Sequence, residues 1–165
     1  MKILGIDPGY DRLGIAVLDK PNRGDTGKKP EKETVIYSDC FQTSAKDTIY
    51  ERLQDIGREI SRIMDKYKPD RLAIETLFIT KNQKTAMRVA EVRGIIIYEA
   101  GRRDIPVSEY APMQIKMAVT SDGTSDKERM IRMIHMLISM PNKKALDDEY
   151  DAIAVSLACS AEVRN

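Results

Sequence analysis

Asp7 ends an apolar run of Ile3, Leu4 and Ile6 and is followed at once by Pro8-Gly9. A carboxylate at the end of a buried strand is costly to desolvate unless a cation or a hydrogen-bond donor meets it, although an Asp before a Pro-Gly turn also serves as a plain turn residue. Glu75 repeats the arrangement after Leu72-Ala73-Ile74. A third group, Asp147-Asp148-Glu149-Tyr150-Asp151, puts four acids within five residues. Asp148 and Asp151, or equally Asp147 and Asp151, share one face of a helix. Acids in a first helical turn each gain about 0.3–1 kcal/mol from the helix dipole, yet four so close repel one another, and a bound cation would relieve that. Carboxylate oxygens select a hard ion, magnesium or manganese. The single histidine, His135, cannot build a His-rich zinc site and sits among Met133, Ile134, Met136 and Leu137, where a structural role is expected. One acid on a first strand, one on a middle strand and a pair on a last helix suit a two-metal phosphodiesterase, in which one ion activates water and the other stabilises the leaving oxygen.

Such acids need a scaffold to bring them together. Lys2 to Asp7 reads as a buried strand, and Pro8-Gly9 with Gly14 as a turn into a second strand from Ile15 to Leu18. Lys20 to Lys32, rich in Pro, Gly, Lys and Asp, is expected to be an exposed, mobile loop before a third strand from Thr34 to Phe41. Tyr50, Leu53, Ile56, Ile60, Ile63, Met64 and Tyr67 recur at helical spacing, and the helix must end before Pro69. Leu72 to Glu75 is a short strand. Ala86, Val89, Ala90, Ile97 and Tyr98 give a second helical stripe, with small residues and Gly94 permitting close approach, so this helix is the expected dimer interface. Pro106 to Tyr110 is a fifth strand, and a short helix follows from Pro112 to Ala118. Ser125-Asp126-Lys127-Glu128 matches a capping box with serine as the cap of a helix running through Met140. The last helix, Leu146 to Ala161, carries its acids in its first turn and buries Tyr150, Ile153, Ala154, Leu157 and Ala158. Three strands, a helix and then alternating strands and helices make an α/β fold with a five-stranded mixed sheet and helices on both faces, as a single domain over residues 1–165.

Composition narrows the class. A hydrophobic fraction of 42% with 32% charged residues is that of a globular protein, and no apolar run approaches the roughly 20 residues of a membrane helix. The first residues do not read as an export signal, so a cytoplasmic location is expected. Cys40 and Cys159 lack metal-type spacing and are expected as buried thiols. The net charge of +1 hides an asymmetry: Lys81 to Lys144 holds twelve Lys or Arg against seven acids, whereas one Arg faces five acids from Ala145 onward. A basic middle suits a polyanionic partner, or simply a solvated helix surface.

Ile6-Asp7-Pro8-Gly9, Ala73-Ile74-Glu75, Phe78 with Lys81-Asn82, Ala90-Glu91-Val92-Arg93-Gly94 and Asp148-Glu149-Tyr150-Asp151-Ala152 together resemble the RuvC family of Holliday-junction resolvases, in order and spacing over nearly the whole chain. The resemblance implies an RNase H-like fold, a homodimer, and paired nicking of four-way DNA junctions in recombination and repair. It also implies two magnesium ions per site, with manganese able to substitute, and a branch-migration helicase as partner. It carries metal ligation onto Asp7, Glu75, Asp148 and Asp151, and makes Phe78 a wedge or stacking residue at the junction centre, where an aromatic replaces about 1–3 kcal/mol of base stacking. Lys116 and Lys127 become phosphate contacts beside the site, with Lys81, Lys84 and Arg88 as further DNA contacts. Lys127 lies in a first helical turn, where a bound phosphate would offset the unfavourable dipole.

The chain departs from the family pattern in its longer loop Lys20 to Lys32 and in the extra acids Asp147 and Glu149, so the choice of Asp148 over Asp147 rests on the Asp-x-x-Asp-Ala pattern alone. An actin-like ATPase also opens with a strand, an Asp and a glycine turn, but needs two such domains. A related nuclease acting on RNA or other branched DNA remains open, because fold does not fix substrate. A purely structural junction binder fits less well, since it gains nothing from acids where phosphates approach.

Overall fold

In the computed structural model, Lys2–Asp7 forms strand β1 and Arg12–Asp19 returns antiparallel beside it as β2. The structure describes residues 1–21, 32–77, 83–141 and 145–163. Thr34–Gln42 adds β3 antiparallel to β2, while β4 (Arg71–Glu75) and β5 (Val107–Tyr110) extend the other side in parallel, giving the order β3-β2-β1-β4-β5. Parallel neighbours need crossovers, and α1 (Ile49–Tyr67) and α2 (Gln83–Gly101) provide them. Helices α3 (Pro112–Thr120), α4 (Lys127–Leu137) and α5 (Asp147–Glu162) complete the chain.

Strand alternation sorts the side chains into two cores. Leu4, Ile6, Ile15, Val17, Leu72 and Ile74 pack with α1 and α2, whereas Ile3, Ala16, Leu18 and Ala73 pack with α3, α4 and α5. Covering both faces explains why β1 and β2 read as continuous apolar runs. Helix α5 is buried from Ala152 through Ser160 and lies directly on β1 and β2. Two glycines allow this approach. A Cβ on Gly5 would overlap the Ala152 carbonyl oxygen and sit 2.8 Å from Ser156 Cβ, and a Cβ on Gly14 would overlap the Asp148 carbonyl oxygen.

Several expectations need correction. Asp126, not Ser125, caps α4: its carboxylate accepts from Arg129 N at 2.8 Å, while Ser125 is buried with its hydroxyl 2.7 Å from Thr120 Oγ1. The same helix stops at Leu137 instead of reaching Met140, because Ser139 pairs with the edge of β3, accepting from Val35 N and donating to Glu33 O, both at 2.9 Å. Tyr50 is 74% exposed and not part of the α1 core face. The buried stripe of α2 is Ala86, Val92, Arg93, Ile96, Glu99 and Ala100; Ala90, Gly94 and Tyr98 face outward. His135 is exposed despite its apolar neighbours, with Nε2 at 2.9 Å from the Tyr150 hydroxyl. Cys40 and Cys159, by contrast, are buried free thiols as expected. Among the described residues no helix is long and apolar enough to cross a membrane. Most of the loop Lys20 to Lys32 lies outside the described residues.

Candidate active site

The register of β1 on β4 pairs Ile6 with Ile74, so the next residues, Asp7 and Glu75, end adjacent parallel strands, about 4.8 Å apart in the sheet. Ile3, Gly5 and Asp7 share one face of β1, as Ala73 and Glu75 share one face of β4. That face is the one covered by α5. The start of α5 overlies the same sheet end because Gly14, the register partner of Asp7, presents no side chain to the Asp148 backbone. The first turn of α5, which carries Asp148 and Asp151, thus lies across the sheet end that carries the two strand acids.

The electrostatics record this convergence. Burial pushes the Asp7 carboxyl from 3.8 up to about 8, with Glu75, Asp151 and Asp148 adding repulsion and a hydrogen bond to Glu75 holding the proton. Glu75 is raised too, first by its own burial, while Arg93 pulls it back. Two cations face the helix acids: Arg12 Nη2 lies 2.5 Å from Asp148 Oδ2, and Lys127 Nζ lies 2.9 Å from Asp151 Oδ2. Lys127 Nζ is also 3.3 Å from Asp147, whose side chain is 73% exposed, whereas that of Asp148 is 23% exposed. Glu149 points the other way: buried, it accepts from Ser38 Oγ at 2.6 Å and from Leu146 N at 3.0 Å, tying α5 to β3.

Arg93, buried on α2, donates to the Glu75 carbonyl and to Glu109 Oε2 at 2.6 Å, fixing the end of β4. A cleft of about 290 Å³ opens over Asp7 and Glu75, walled by Thr76, Leu77, Ala86, Val89 and Pro112. Lys84 and Arg88 stand on α2 beside that wall, Arg88 bonded to Glu91 at 2.9 Å. Lys116 lines a neighbouring groove on α3 that shares Pro112 with the cleft. Phe78 and Lys81 lie outside the described residues.

Four carboxylates with no nitrogen or sulfur donor fit a hard divalent ion, and a cation would offset both the burial and the repulsion that raise the Asp7 carboxyl. As they stand, no three His, Cys, Asp or Glu side chains among the described residues are gathered closely enough to hold one ion. Asp148 is turned to Arg12 and Asp151 to Lys127, and ligation requires both to turn inward. The family model described as crossover junction endodeoxyribonuclease RuvC matches residues 3–159. The chain belongs to the RuvC family. The RuvC of Thermosipho melanesiensis is 40% identical over 164 residues, 99% of each chain, and that of Petrotoga mobilis 37% identical over 94% of this chain and 91% of its own. The solved Thermus thermophilus RuvC structure superposes with a TM-score of 0.85 at 25% identity, covering 98% of this chain and 94% of that one. The fold is therefore that of RuvC, an RNase H-like α/β sheet. RuvC nucleases depend on a divalent metal, in keeping with the all-oxygen donor set.

Two predictions follow from how this RuvC site is assembled. Gly14→Ala places a methyl group against the Asp148 carbonyl and 3.1 Å from Asp7 Cβ. Backbone atoms cannot rotate away, so the start of α5 must shift, at about 1–3 kcal/mol. The variant is expected to keep its circular dichroism spectrum, melt at lower temperature and lose at least about tenfold in cleavage rate; unchanged rate and melting would contradict this packing. The second concerns pH. Because the folded Asp7 carboxyl titrates at about 8 instead of 3.8, the folded chain holds this proton more tightly than the unfolded one. The stability it contributes is full below about pH 4 and is lost as pH rises through about 8. Thermal melts of chelator-treated protein should therefore fall over that window, and Asp7→Asn should flatten the fall; an equal slope in both proteins would contradict the shift.

Proposed function

We propose that the chain is a structure-selective endonuclease that resolves four-way DNA junctions by paired symmetric nicks in homologous recombination and repair. The observation that carries this reading is the placement of Asp7 and Glu75 side by side at one end of the sheet, in an open cleft, with the first turn of α5 and its Asp148 and Asp151 across that end beside Lys127. The four acids are the metal ligands, and magnesium, replaceable by manganese, is the expected ion, two per site. When bound, such ions supply activation of the attacking water and stabilisation of the leaving oxygen.

The chain's own residues bind and orient the strand. Lys127, now shared between Asp151 and Asp147, stands in the first turn of α4, where it would hold a phosphate if Asp151 served a metal instead. Lys84, Arg88 and Lys116 extend the positive surface on either side of the cleft wall and neutralise backbone phosphates without reading sequence. Phe78 is proposed as the residue that stacks at the junction centre, and Lys81 as a further DNA contact. Arg93 keeps Glu75 in place through its bond to the Glu75 carbonyl.

A four-way junction has two-fold symmetry, so paired nicks call for a homodimer with matching sites. The outward face of α2, with Met87 66% and Tyr98 64% exposed around Ala90 and Gly94, is the surface proposed for it. A branch-migration helicase is the expected further partner, in the cytoplasm, with the whole chain acting as one nuclease domain. The test is a synthetic four-way junction incubated with and without magnesium, with the oligomer mass followed by light scattering. Symmetric paired nicks that need the metal, made by a dimer, are expected. Cleavage of RNA hybrids or of linear duplex at an equal rate, or a monomer that persists on the junction, would overturn the reading.

A further inference from the structure

Arg12 opens β2 on the face that carries Gly14, the α5 side of the sheet. Its guanidinium is half exposed, lies 2.5 Å from Asp148 Oδ2 and rests against the thiol of Cys40, which register places opposite Gly14 on β3. Arg12 is therefore held between a buried seat and one carboxylate of the proposed metal set. The other cation at the site, Lys127, divides itself between Asp147 and Asp151; Arg12 has Asp148 as its acidic partner. Asp148 is turned to the guanidinium and must turn away from it to face Asp7 and Glu75, so the carboxylate cannot serve both in one orientation.

We propose that Arg12 is a positioning residue that stands in for the metal at Asp148 and so sets the affinity of the metal centre. It keeps the helix acid ordered and neutralised until an ion displaces it. Affinity for the ion is lower than the four carboxylates alone would give, by the strength of the pair that must break. For a half-exposed ion pair that is about two- to fivefold. Once displaced, the guanidinium is an unpaired cation at the rim of the site. The inference rests on the reading of Asp148 as a ligand, and the test separates the two.

Manganese binding to the DNA-free protein, measured by the electron paramagnetic resonance signal of the free ion, provides a readout independent of cleavage. Arg12→Gln is expected to bind manganese about two- to fivefold more tightly than the parent chain, and Arg12→Lys, which restores the charge, to return towards the parent value. In an Asp148→Asn background, Arg12→Gln should have no effect, because the pair it would break is gone. Unchanged or weaker manganese binding in Arg12→Gln, with its melting curve and circular dichroism preserved, overturns the proposal. An equal gain in both backgrounds overturns it as well, since that is a general field effect. If Asp148→Asn alone leaves manganese affinity untouched, the ligand assignment itself fails and this inference fails with it.

Discussion

Asp7→Asn is expected to bind a four-way junction as tightly as the parent chain and to cleave it more than about a hundredfold more slowly. A hundredfold is the upper end for a residue that only supports a ligand, so a larger loss distinguishes a direct ligand from a neighbour. Burial first, and then Glu75, Asp151 and Asp148, raise the Asp7 carboxyl, so the other three acids all act on it. Removing its charge takes an anionic oxygen from the metal site without touching Lys84, Arg88, Lys116 or Lys127, which carry the phosphate contacts. Binding should not weaken, because Asp7 makes no phosphate contact and its carboxyl is largely protonated in the metal-free chain. Glu75→Gln should behave likewise. Filter binding in calcium and single-turnover cleavage in magnesium decide it; cleavage within tenfold of the parent rate would exclude Asp7 from the ligand set.

Asp7 and Glu75 were legible in the sequence because a charged residue ending an apolar strand breaks the pattern around it. Both strands run from buried apolar residues into an acid, and the parallel register then sets the two acids side by side. Their partners were less legible. Arg12 follows Asp11 in what reads as a surface turn, and nothing local indicates that β2 begins there or that α5 will lie across it. Gly14 read as a turn residue for the same reason; its use, a close approach to Asp148, is made by residues far apart in the chain.

Helix α2 misled for a different reason. Val89, Val92, Ile95, Ile96 and Ile97 are apolar on more than one side, so periodicity did not single out a face. The face that is buried contains Arg93 and Glu99, charges whose burial becomes tolerable only through partners: Glu109 for Arg93, Arg102 and Arg103 for Glu99. At α4 the local capping pattern competed with a tertiary one, and Ser125 was drawn inward to Thr120, leaving Asp126 to cap. Local chemistry located the acids, whereas packing decided which basic groups and glycines attend them.

Asp148→Asn should cut single-turnover cleavage by orders of magnitude, and Asp147→Asn should cost far less. Helix geometry alone allows either residue to join Asp151, since separations of three and four both share a face. The environment of each carboxylate distinguishes them. Asp148 is three-quarters buried beside Gly14 and acts on the Asp7 carboxyl. Asp147 is largely exposed, and Lys127 Nζ, at 3.3 Å, draws it towards the rim. A charge at the rim acts on the site only through a screened field. The small effect of Asp147→Asn should therefore shrink as salt rises towards molar concentrations, where the screening length falls to about 3 Å. Loss of a direct ligand should persist at any salt that still permits junction binding, and raising magnesium should recover part of the rate by mass action. Rates of both variants at saturating enzyme, over matched magnesium and salt series, provide the comparison. If Asp147→Asn proves the more damaging, the third ligand lies one residue earlier, and α5 must turn about its axis to present it.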